Sequence, residues 1–307
     1  MTVEVKATAT GEWEGTHEPI VVAVDGSERN RSAVAWAARE AAALGCDLVL
    51  VTALQDYVVA TPHFSMRSED QETLDMLADA RAAVRHILDE KRISTVAVAG
   101  SPVDVLLDRA AEARLLVVGK RGLGGFARMI VGSTSIALAG RSPVPVVIVP
   151  DGWEQTAHDG RPVVLGVDPN KPDDRPIEVA FRRAKRLGVP LVAAHGWETP
   201  AVFSWDAETV TGAVTEHDRQ AEALFDELLR SWQERHPDVV VRPMRVHKHP
   251  ATAVLEAAEE AQVVVLGRHG SGMFGGFAFG SVARAVLHYA ECPVVVVPAG
   301  NGAHKLD

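Results

Sequence analysis

Cysteine is nearly absent. Two residues in 307, Cys46 and Cys292, offer no disulfide framework and sit in no CxxC spacing. Thiols so sparse fit a reducing, cytoplasmic setting. Basic residues are outnumbered, 31 Lys and Arg against 41 Asp and Glu, for a formal net charge of −10. That balance argues against a broad nucleic-acid or anionic-membrane surface, so neither partner is expected. No apolar run reaches the roughly 20 residues that a spanning helix needs. The opening MTVEVKATATGEWEGTHEP lacks the apolar centre of a signal peptide, so residues 1–18 read as a flexible tail.

Catalytic signatures are missing as well. There is no HExxH, no His–Cys cluster and no Gly-x-Ser-x-Gly nucleophile elbow. His63, His86, His195, His217, His247, His249 and His288 are scattered and read as surface or satisfied core groups. No acidic pair or water-orienting residue of a phosphoryl-transfer site is evident, so no catalytic residue is assigned and at most slow hydrolysis is expected.

What the chain does have is glycine in a repeated pattern. GKRGLGGFARMIVGSTS at 119–135 and GRHGSGMFGGFAFGSVA at 267–283 both read Gly-x2-Gly-x9-Gly-Ser. The repeat extends outward from these loops. PIVVAVDGS at 19–27 matches PVVLGVDPN at 162–170, and PVVIVP at 145–150 matches PVVVVP at 293–298. Gly45 and Gly188 each follow the corresponding aspartate by twenty residues. The chain is therefore one domain duplicated. The boundaries read as domain 1 at 19–150, a polar linker at 151–161, domain 2 at 162–298 and a C-terminal tail at 299–307.

Within each half, continuous Val/Ile/Leu runs alternate with Ala-rich helical patterns. In the first half the strands fall near 20–25, 47–53, 95–99, 115–118 and 145–149, with helices near 30–44, 69–92, 103–112 and 133–140. The longest helix of the second half falls near 213–235. Unbroken apolar strands between helices predict a parallel sheet covered on both faces. The fold class is thus α/β, two tandem doubly wound domains, each a five-stranded parallel sheet with helices on both faces. Such sheets bind ligands beyond the strands' carboxyl ends, where strand order reverses. Asp25 and the Gly119 loop fall there in one half, Asp168 and the Gly267 loop in the other.

Gly119 and Gly122 are expected to let backbone approach a ligand with no Cβ in the way. Gly132, Ser133 and Thr134 open a helix whose unpaired N–H groups and dipole favour an anion, phosphate above all. Lys120 and Arg121, or Arg268 and His269, add charge-assisted donors. Walker A is excluded, because Lys120 is followed by Arg121 and no glycine stands five residues before Gly119. GLGGFA at 122–127 and GSGMFG at 270–275 satisfy the dinucleotide pattern but follow the fourth strand rather than the first, which discounts them.

The repeated glycine motif, the VAVDGS start and the PVVIVP ending resemble the universal stress protein family, and within it the tandem-domain actinobacterial members. The resemblance spans 19–150 and 162–298. It implies an adenine nucleotide alpha hydrolase-like fold, ATP as ligand with Mg2+ bridging the phosphates, and no metal site of the protein's own. Ala23, Val24 and Asp25 would line the adenine end, with Ala53 near the base. Val118, Gly119, Arg121 and Gly122 would follow the ribose and phosphates to Gly132, Ser133 and Thr134. In the second half the matching residues are Gly166, Val167, Asp168, Gly196, Leu266, Gly267, His269, Gly270, Gly280, Ser281 and Val282. Pro169 departs from the first half's Asp-Gly-Ser and restricts that helix start. The implied function is a nucleotide-dependent stress-response or growth regulator, one nucleotide per domain, acting as a homodimer on a regulatory partner. The alternative is a slow ATPase or an adenylate-transferring enzyme of a related α/β class.

Overall fold

The strands expected from apolar runs form, and the inner ones are buried as a parallel sheet covered on both faces imposes. A computed structural model describes residues 4–5, 18–54, 66–122, 131–154, 160–198, 207–268 and 280–299. The chain divides into two compact units, one running to Gln155 and the other from Thr156 to Asn301.

In the first unit the strands are Glu4–Val5 (β1), Ile20–Ala23 (β2), Leu48–Leu54 (β3), Ile93–Ala99 (β4), Leu115–Gly119 (β5) and Val146–Val149 (β6). Their order is β1-β4-β3-β2-β5-β6. The five from β2 to β6 are parallel, and strand order reverses beside β2, between β3 and β5. β1 differs from expectation. Residues 1–18 read as a tail, yet Glu4 and Val5 pair antiparallel with Val98 and Ala97 at the β4 edge. A bare edge offers unpaired N–H and C=O groups to any passing extended segment.

Helices Arg31–Leu44 (α1) and Met66–Val84 (α2) pack together, as do Pro102–Ala110 (α3) and Ser133–Arg141 (α4). The periodicity over 69–92 does not continue as one helix. Ile87 and Leu88 both donate to the Val84 carbonyl, and Asp89 then caps a 3-10 turn at Glu90–Arg92. Leu88 stays buried at 4% exposure, which is why the apolar pattern outlasts the helix.

The second unit repeats the plan with Val163–Gly166 (β7), Leu191–Gly196 (β8), Val241–Val246 (β9), Val263–Arg268 (β10) and Val294–Pro298 (β11). Their order is β11-β10-β7-β8-β9, all parallel. Its helices are Asp174–Leu187 (α5), Ala207–Arg235 (α6), Pro250–Ala258 (α7) and Ser281–Tyr289 (α8). Phe181 of α5 stacks on Trp232 of α6 at 5.8 Å, while α7 packs on α8. Adjacent strand residues point to opposite faces. Val167 packs against the cluster of Ala193 with Phe225 and Leu229 of α6, while the neighbouring Gly166 faces Val254 of α7, so helices cover both faces.

Gly45 and Gly188 end α1 and α5 with φ of +67° and +65°, and nothing stands within 4 Å of a Cβ at either. Glycine is needed there for the left-handed backbone alone. Among the described residues, no helix is long and apolar enough to cross a membrane.

Candidate functional site

Parallel strands leave their last carbonyls and following loops at one end of the sheet, and the reversal of strand order opens a crevice there. In the first unit that crevice holds Asp25 after β2 and the turn after β5. Asp25 is half-buried, and its Oδ1 accepts from the Ser27 amide at 2.9 Å and the Ser27 hydroxyl at 2.8 Å. Asn30 extends the network, donating from Nδ2 to the Ala23 carbonyl at 3.0 Å. Gly26 takes a φ of +77° to close this turn.

The turn after β5 is built by backbone. The Lys120 amide donates to Val149 at 2.7 Å, Gly132 donates to the Lys120 carbonyl at 2.8 Å, and the Ser135 hydroxyl donates to the Gly119 carbonyl at 2.8 Å. These bonds set the start of α4 beside the end of β5. Gly132 caps α4 without a side-chain bond, Ser133 is exposed and Thr134 is half-buried.

The glycines and cations of this loop also have close neighbours within the protein. A Cβ on Gly122 would stand 2.7 Å from Asp25 Oδ2, and one on Gly119 would stand 3.2 Å from the Arg121 carbonyl. The cations are also not simply offered to solvent. Lys120 is 8% exposed, and Arg121 Nε lies 3.1 Å from Asp151 Oδ2, with Arg29 Nε 3.8 Å from the same oxygen. Val118 is buried in β5; Ala23, the last residue of β2, and Ala53, the last but one of β3, are half-buried, and Val24 is buried.

The second unit has a partly open cavity of about 560 Å³ at the carboxyl ends of β7, β8 and β10. Gly166, Val167 and Asp168 line it from β7, and Gly196 from β8. Leu266 and Gly267 line it from β10, and Gly280, Ser281 and Val282 from the start of α8. His269 and Gly270 lie outside the described residues. Arg268 is half-buried, and burial pulls its pKa down, with the Arg175 charge adding to the effect.

Asp168 repeats the turn of Asp25 in reduced form. Its Oδ1 accepts from the Asn170 amide at 3.1 Å, while Pro169, which cannot reach positive φ, replaces Gly26. Gly166 and Gly196 are small for packing reasons. A Cβ on Gly166 would lie 2.5 Å from Leu266 Cδ2, and one on Gly196 would lie 2.8 Å from both Ala253 Cβ and the Lys248 carbonyl. Gly280 caps α8 without a side-chain bond.

The cavity also carries a residue that the sequence reading set aside. His195, 4% exposed, lines it and stacks on Trp197 at 5.4 Å and on Phe225 at 5.5 Å. Its Nδ1 is 3.1 Å from the Val167 carbonyl. Burial holds its pKa below the usual 6.5, against smaller upward pulls from that carbonyl and from Asp168. A carbonyl only accepts, so Nδ1 carries the proton of a neutral ring. The one hint in the sequence was a histidine near the end of LVAAHGW, where the first half has Thr52. Among the described residues no cluster of three or more His, Cys, Asp or Glu could hold a metal ion.

The universal stress protein family model matches residues 16–150 and again 160–298. A universal stress protein of Mycolicibacterium smegmatis is 36% identical over 296 residues, covering 92% of this chain and 97% of that one. One from Mycobacterium tuberculosis is 31% identical over 311 residues, covering 92% and 95%. The crystal structure of a universal stress protein from Archaeoglobus fulgidus shares the fold, with TM-score 0.63 at 19% identity over 92% of this chain and 97% of that one. Two family matches in succession, on two units with one strand order, make this chain a tandem-domain member of the universal stress protein family.

Proposed function

We propose that each unit binds one adenine nucleotide, ATP with a bridging Mg2+, and that occupancy biases a state sensed by a regulatory partner. The observation that carries this reading is the second cavity. At about 560 Å³ it falls within the roughly 300–1,000 Å³ usual for small-molecule sites. One end presents acceptors, Asp168 and His195, suited to ribose hydroxyls and a base amine. The other end presents the start of α8, whose open N–H groups and dipole suit phosphate. Phosphate oxygens would supply most of the Mg2+ ligands. The first unit offers the same ends in Asp25 and the start of α4, and phosphate there competes with Asp151 for Arg121.

The expected state is a cytoplasmic homodimer that holds ATP rather than turning it over quickly. Titration calorimetry of the full chain with MgATP should count about two sites by this duplication. No heat at millimolar MgATP would overturn the reading. Phosphate release should fall far below typical enzyme rates of about 1–1,000 per second. Rapid release would favour an enzyme of a related α/β class instead, and light scattering checks the dimer.

A further inference from the structure

His195 Nε2 is buried and finds no hydrogen-bond partner among the described residues. Buried polar atoms are nearly always satisfied, and His195 is a residue of the cavity lining, so its orphan nitrogen marks a place where something else makes the bond. The ring's other nitrogen is committed to the Val167 carbonyl, and Trp197 and Phe225 lie stacked against it. What remains is one lone pair, held in place, that can only accept.

Topology says which part of a ligand it meets. Strand order runs β10-β7-β8, so His195 stands two strands from β10, after which the chain reaches Gly280 and the start of α8. A nucleotide with phosphates at that helix start extends its base toward β8. We propose that His195 Nε2 accepts a hydrogen bond from the exocyclic amine of the base, so that the second site selects an amino-bearing base over one carrying a carbonyl there. The inference rests on the nucleotide reading of this cavity. It also separates the two units. Ala23 pairs with Val51 and Gly166 with Ala194, so the place after them belongs to Thr52 in the first unit and His195 in the second.

ATP and inosine triphosphate differ at this group, the amine of one being a carbonyl in the other. Calorimetry of the full chain with each nucleotide and Mg2+ should give roughly tenfold or greater preference for ATP at one of the two sites, the worth of about one hydrogen bond. His195→Phe keeps the stack and removes the acceptor. It should weaken ATP at that site about tenfold, leave inosine triphosphate unchanged, and spare the other site. His195→Asn offers both a donor and an acceptor and should accept both bases, which keeps the test open if the Phe variant fails to fold. In the wild type, the His195 ring nitrogen signals in 15N NMR should move with ATP and stay with inosine triphosphate. ATP bound with the same base preference in wild type and both variants would overturn this proposal and leave nucleotide binding standing. No binding of either nucleotide would overturn both.

Discussion

The two units reach the same strand tips with different residues, and the difference lies at one end of the crevice. At the tips of β2 and β3 the first unit has Asp25-Gly26-Ser27 and Thr52-Ala53. At the tips of β7 and β8 the second has Asp168-Pro169-Asn170 and His195-Gly196. The carboxylate turn survives the change, since Oδ1 accepts the amide two residues on in both, at 2.9 and 3.1 Å. What changes is how tightly the sheet end is packed. In the second unit the loop at Lys248–Pro250 crosses directly over Gly196, whereas the first unit carries a methyl, Ala53, at the corresponding place. Duplicated sheets therefore keep the element that orients a ligand and vary the walls around it.

The sharpest way to break this comparison is a methyl at the second tip. Gly196→Ala forces a Cβ to 2.8 Å from the Lys248 carbonyl and should cost about 1–3 kcal/mol. Thermal unfolding should show the loss, and calorimetry should show one of two ATP binding events gone. Ala53→Gly in the first unit should cost less, about 0.5–1 kcal/mol of chain flexibility at a strand end. Equal losses in the two variants would refute the packing difference.

The next effect acts through Asp25. Gly122→Val drives its Cβ toward Asp25 Oδ2, whose partner oxygen is tied to Ser27, so the carboxylate must leave its turn. With one charge-assisted bond worth about 1.5–3 kcal/mol, first-site affinity should fall roughly 10- to 100-fold. Second-site affinity and far-ultraviolet circular dichroism should not change. A smaller and symmetric effect is expected at the helix ends. Gly45→Ala and Gly188→Ala meet no atom, only a positive φ, and should each cost about 1–2 kcal/mol. Unequal costs would mean that the two α-helix ends are not equivalent.

The smallest effect is pH-dependent and belongs to one unit. The pKa of His195 in the fold lies below its unfolded value near 6.5, so the unfolded chain binds more protons in that interval. Stability contributed by the neutral ring is full above pH 6.5, declines as pH falls below it, and levels off once pH is under the folded pKa. Asp168, the nearby carboxylate, opposes the shift and shortens the interval. His195→Phe should remove this slope in denaturant titrations at stepped pH. A slope unchanged by the substitution would assign it to another group.

Sheet and duplication were legible because parallel strands buried on both faces must be continuously apolar, as in IVVAV and VVLGV. Register, which glycine faced what, and where the cations went were not. Gly122 meets Asp25 across 97 positions of chain, and Arg121 meets Asp151 across 30, distances at which no local pattern speaks. His195 was invisible for a related reason. A lone histidine in an apolar run reads as core until its neighbours are known, and Trp197, Phe225 and the Val167 carbonyl come from three different elements. The antiparallel Glu4–Val5 pair was missed because two residues carry no periodicity.

The tight packing behind Gly166 and Gly196 has a thermodynamic meaning of its own. Glycine and proline have no side-chain rotamers to freeze, and valine has few. A cavity wall containing Gly166, Gly196, Pro250 and Val254 therefore gives up little side-chain freedom when a ligand arrives. Each flexible side chain immobilised at an ordinary site costs about 0.5–1.5 kcal/mol, and this wall is spared most of that loss. It is also unable to yield, so a base bearing one extra methyl toward those glycines should be refused outright rather than accommodated at reduced affinity.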